Sequence, residues 1–104
     1  MARFDVYANP SAGERADTPF IVDVQNDHLG PLETRVVIPL RSMRAMPHRA
    51  STLNPVLNVA GKDAVLDTAS LAPVPTGMLR KPVARADASS AEILDALDAL
   101  FGSY

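Results

Sequence analysis

Two neighbouring runs of alternating residues constrain this chain more than any other feature. In Phe20–Asp27, the apolar Phe20, Val22 and Val24 alternate with Ile21, Asp23 and Gln25. In Thr34–Leu40, Val36, Ile38 and Leu40 alternate with Arg35, Val37 and Pro39. A period of two sends successive side chains to opposite faces of a strand, so each run has one buried face and one wetter face. The link between them, His28-Leu29-Gly30-Pro31, carries Gly-Pro loop punctuation. Strands this close in sequence pair antiparallel, because a parallel crossover needs about a dozen or more connecting residues.

Around this pair the remaining elements are short. Arg3–Ala8 reads as a first strand, with Phe4 and Val6 on one side and Arg3, Asp5 and Tyr7 on the other. Asn9–Arg15 is a loop of turn formers. Arg41, Arg44, His48 and Arg49 form the one basic concentration, which suits a solvated loop or a short helical turn. Leu53–Val59 and Ala64–Leu66, joined around Gly61, read as a hairpin with Pro55 at its entry. Leu71–Pro75 contains two prolines, which remove ladder donors and confine it to an edge or a bulge. Ser89-Ser90-Ala91-Glu92 has capping-box spacing and predicts the start of a helix. Ile93, Leu94, Leu97, Leu100 and Phe101 then form one apolar stripe for the sheet, and Gly102 is placed to cap the helix end. The pattern is α+β, mainly β: a small antiparallel, partly closed barrel with a C-terminal helix.

The chain of 104 residues is one domain, 1–104, with 47% hydrophobic and 21% charged residues, the balance of a globular protein. It contains no cysteine, which excludes thiolate metal sites and cysteine nucleophiles. The first residues lack the apolar core of a signal peptide, and no stretch approaches the ~20 apolar residues of a membrane span, so a cytoplasmic protein is expected. A net charge of −2 argues against a domain that binds nucleic acid directly by neutralising phosphates.

The residues offer little for catalysis. His28 and His48 have no metal-ligand spacing, the serines lack a nucleophile elbow, and there is no Gly-rich phosphate loop. One enzymatic alternative is ribonucleolytic cleavage, with Asp23, Arg35, His28 and His48 converging as base, acid and cation. The main reading is a protein that is not an enzyme, needs no cofactor and acts by binding.

Val22-Asp23-Val24-Gln25-Asn26-Asp27, Val37-Ile38-Pro39-Leu40, Leu53-Asn54-Pro55-Val56 and Val74-Pro75, in that order and with similar gaps, resemble the CcdB family of toxins from bacterial toxin–antitoxin modules. The resemblance runs from Arg3 to the C-terminus. It implies an SH3-like barrel working as a homodimer, with a cis bond before Pro75. It also implies a toxin that poisons DNA gyrase by wedging into the A subunit and stabilising the state in which DNA is cut. A cognate, CcdA-like antitoxin would neutralise the toxin and join it in repressing their own operon, in the service of plasmid maintenance. The same small barrel hosts the MazF and Kid ribonuclease toxins, which keeps RNA cleavage as the alternative, although a shared fold does not transfer activity.

Family contacts with gyrase come from a Trp-Gly-aliphatic tail after the helix. This chain has no Trp and carries Gly102, Ser103 and Tyr104 at those positions. A Trp over a partner arginine contributes ~1 to 2 kcal/mol from cation–π attraction, so its absence weakens the expected contact. Tyr104 as a shifted anchor, a changed target and a homologue without gyrase activity all stay open. Other contact positions map to Phe4, Tyr7, Asn26, His28 and Asp98. Phe4 fits a core position equally well, whereas Tyr7 on a wetter strand face and Asn26 in a loop fit contacts.

Overall fold

The computed structural model describes residues 2–29 and 31–102. Seven strands are assigned: β1 (Asp5–Ala8), β2 (Phe20–Asp23), β3 (Thr34–Ser42), β4 (Val56–Val59), β5 (Lys62–Leu66), β6 (Ala72–Pro75) and β7 (Ala84–Arg85). One α-helix, α1, spans Ser90–Phe101. The strands form one sheet in the order β4-β5-β3-β2-β1-β7, with β6 attached to β3. All the pairings are antiparallel, and the path curls into a nearly closed barrel with α1 beside it.

The central pair forms as the alternation dictates, with Val22 opposite Ile38 and Phe20 opposite Leu40. β3 is long enough to change partners, pairing with β6 over Thr34–Val37 and with β5 over Leu40–Ser42. Pro39 stands at the seam between those two ladders, where a missing amide proton costs least. β6 is an edge strand, as its prolines require, with Pro73 opposite Val36 and Pro75 opposite Thr34. The cis bond implied before Pro75 is absent, since no described peptide bond is cis.

The interior of the barrel is lined by Val6, Val22, Ile38, Leu40, Leu57 and Leu66, closed by Ile93 and Ala96 of α1. Each fully buried aliphatic side chain of this kind stabilises the fold by about 1.5–3 kcal/mol. The opposite sheet face is also covered. Tyr7, Ile21, Val37 and Leu79 form a second apolar cluster there. The face expected to be wet is thus a second core, because the segment after β6 crosses it and sets Leu79 on Tyr7.

Other expectations are corrected locally. β1 begins at Asp5 rather than Arg3, because Phe4 adopts φ 72° and breaks the extended run. The Ser89 side chain makes no capping bond. A 3-10 turn over Asp87–Ser89 leads directly into α1, and the Ser89 and Ser90 amides donate to Ala86 and Asp87 carbonyls, so the capping box has little left to satisfy. Only part of the predicted stripe packs: Ile93 and Ala96 are buried and Leu97 and Leu100 half-buried, whereas Leu94 and Phe101 are exposed.

The β4–β5 hairpin turns on Ala60 and Gly61, both at positive φ, 52° and 83°. Two such residues make a type I′ turn, whose twist matches the flanking strands. Alanine is strained there where asparagine is tolerated. Ala60→Asn is expected to stabilise the protein by about 0.5–1 kcal/mol. Urea unfolding of the two proteins checks this.

Candidate partner-binding surface at the helix tip

The sequence-derived site residues do not form one patch. Asn26 and His28 are exposed on the loop after β2, which is folded as a 3-10 turn over Asp27–Leu29, and the Asn26 Oδ1 accepts a hydrogen bond from the His28 amide at 2.9 Å. Phe4 is half-buried against the barrel core, with the Arg3 guanidinium 5.2 Å from its ring centre. Tyr7 is 2% exposed and belongs to the second core, so it cannot serve as a surface contact. Desolvation raises the pKa of its phenol, and the Asp5 and Asp23 charges add to that rise, so the ring stays neutral and packed.

The two residues proposed as a ribonuclease base and cation are engaged with each other. Asp23 and Arg35 sit diagonally across β2 and β3 on the second sheet face. The Arg35 Nε donates to one Asp23 oxygen at 2.7 Å, and its Nη2 donates to the other at 3.0 Å. Asp23 is 0% exposed and also accepts the Gln25 amide. Arg35 reaches further, to the Gln25 carbonyl at 3.3 Å and the Asp27 carboxylate at 2.9 Å. The hydrogen bonds that it donates to Asp23 are the largest cause raising the guanidinium pKa still higher, so the fork stays charged. A carboxylate that is fully buried, with both oxygens engaged by its own chain, is out of reach of a substrate hydroxyl. His28 lies beside Asp27 at the exposed rim, and among the described residues no hydrogen bond or ion pair joins His48 to the other three.

The ion pairs also secure the start of the chain. Asp27 accepts the Arg3 amide, and Arg85 on β7 reaches Asp5, Asp87 and the Arg3 carbonyl. The hydrogen bond from Arg35 is the largest cause that holds the Asp27 pKa below the ordinary carboxylate value. A lowered folded-state pKa contributes stability at pH above the unfolded-state value, about 3.9 for Asp, and that stability is lost as pH falls through the folded value. Asp27→Asn is therefore expected to flatten the acid limb of the stability profile below about pH 4, read by melting temperature against pH.

Of the basic run, Arg41 lies in β3, and Arg44, His48 and Arg49 follow in a turn and loop. Arg41 is bound to Asp67 at 2.6 Å and to Thr18, and Arg44 lies 3.9 Å from Asp17.

What stands free is the end of α1. Gly102 closes the helix in the left-handed conformation, φ 69°, donating its amide to the Asp98 carbonyl at 2.9 Å. Asp98 is exposed beside it. Phe101, which the periodicity assigned to the packed stripe, is 71% exposed. Leu94, one heptad earlier on the same flank, is 39% exposed. Ser103 and Tyr104 lie outside the described residues. The sequence signal for Phe101 was its place at the rim of the stripe, next to the capping glycine.

A model of the CcdB protein family matches residues 3–102 of the 104-residue chain. The chain belongs to the CcdB family. None of the curated proteins compared with it matches. Membership supports the role of a toxin from a toxin–antitoxin module for this CcdB-family chain. No helix among its described residues is long and apolar enough to cross a membrane.

Proposed function

We propose that this CcdB-family protein is a toxin that works by occupying a partner's surface, with no catalytic step and no cofactor. Its target is the A subunit of DNA gyrase, which it traps on cleaved DNA, and a cognate antitoxin masks it. It works as a cytoplasmic homodimer. The observation that carries the reading is Phe101: a large aromatic side chain, 71% exposed, at the tip of the only α-helix among the described residues and flanked by exposed Asp98 and Gly102. Aromatic groups left open at such a tip suit the anchor role that dominates interface energies. The engagement of Asp23 and Arg35 with each other favours binding over RNA cleavage.

In the deciding experiment the purified protein is incubated with gyrase and supercoiled plasmid, scoring trapped linear DNA, with a parallel incubation on RNA. Linear DNA that falls when the chain is truncated after Gly102 is the expected result. RNA fragments with gyrase undisturbed would establish the nuclease instead. Silence in both would leave a family member without toxin activity, retained for its antitoxin.

A further inference from the structure

A cleft of about 400 Å3 lies away from the helix tip, between the loop after β1 and the segment that follows β6. Its walls include Tyr7, Pro10 and Met78, and its cations are Arg15, Arg80 and Lys81. We propose that this cleft binds a small phosphate monoester carrying a flat apolar group, a nucleotide-like ligand, with the phosphate among the three cations and the apolar group against Pro10 and Met78.

The first argument is charge. The chain is acidic overall, at −2, and four of its six other arginines, Arg35, Arg41, Arg44 and Arg85, lie in ion pairs with carboxylates. Arg15, Arg80 and Lys81 form no ion pair among the described residues, yet they converge on one concavity. Three like charges around a cleft repel one another unless an anion lies between them. Arg15 is also held in place, because its Nε donates to the Asn9 carbonyl at 2.6 Å, leaving its two terminal nitrogens as donors. An arginine anchored in this way offers a positioned fork to a phosphate.

The second argument is size and lining. A volume of about 400 Å3 falls in the range of small-ligand sites, roughly 300–1,000 Å3. Beside the cations the cleft is lined by Pro10 and by a methionine, Met78, that is 49% exposed, a surface suited to an apolar group. A nucleic-acid strand would need a basic track continuing past the cleft. Instead Glu14 and Asp17 flank the far side of the same loop, around a separate concavity with Thr18 and Arg41. A compact anion fits this arrangement and a polymer does not. The proposal does not depend on gyrase being the target.

The test is calorimetric titration of the full chain with adenosine monophosphate, inorganic phosphate, adenosine and a single-stranded oligonucleotide, at low and high salt. Expected are binding of the monophosphate, weaker binding of phosphate, none of adenosine, and loss of affinity as salt rises. Arg80→Gln combined with Lys81→Gln should weaken monophosphate binding at least about tenfold, the loss expected when charge-assisted hydrogen bonds are removed. Both side chains are exposed and form no ion pair among the described residues, so the melting temperature without ligand should not change. Adenosine binding as well as its monophosphate, affinity unchanged in the double variant, or binding confined to the oligonucleotide would each overturn the proposal.

Discussion

Asp23→Ala is expected to cost about 3–5 kcal/mol of folding stability, the largest effect of any single substitution considered. The carboxylate is 0% exposed and receives two hydrogen bonds from Arg35 and one from the Gln25 amide. Its removal leaves a guanidinium whose side chain is 10% exposed with only the rim carboxylate of Asp27 as an ionic partner. A buried charge stripped of its main partner costs far more than the net value of the pair, because the desolvation already incurred is no longer offset. Domains of this size are stable by about 5–15 kcal/mol, so the variant should unfold at much lower urea, measured by circular dichroism. Removing both charges, as Asp23→Leu with Arg35→Met, should recover most of the loss. A single variant as stable as the parent would show that the pair contributes nothing to the fold and would return Asp23 to consideration as a chemical group.

Phe101→Ala is expected to lower the apparent affinity for the gyrase A subunit by about 30-fold or more, corresponding to at least ~2 kcal/mol. Folding stability should change by no more than about 0.5 kcal/mol, since the ring is 71% exposed and packs on little of its own chain. That combination separates an anchor from a core residue, because a core phenylalanine would lose about 3–5 kcal/mol of stability on truncation. Trapped linear DNA titrated against toxin concentration gives the affinity, and urea unfolding gives the stability. Undiminished trapping by the variant would remove the helix tip from the mechanism.

The barrel could be read from the residues because its main signals are local. Phe20, Val22 and Val24 against Val36, Ile38 and Leu40 define a strand pair by alternation alone, and Gly102 marks the end of a helix by its chemistry. What could not be read depended on distant segments. Tyr7 looks half-exposed by alternation, and only the passage of Leu79 across the second sheet face buries it. Asp23 and Arg35 are types found in active sites, and their spacing cannot tell a pair that reacts from a pair that holds two strands together. β7 is two residues long, too short to show any period. Phe101 shares the apolar side of α1 with Ile93, but periodicity gives the direction of a side chain and not the width of the strip that the sheet covers.

β3 has a consequence beyond its place in the sheet. It is the strand to which β2, β5 and β6 are all paired, so none of those three can peel away without exposing part of it. Partial opening of the sheet is thereby discouraged, and a protease finds few footholds within the strands themselves. A fold tied together in this way is expected to open as one unit, so its lifetime among proteases follows its global stability.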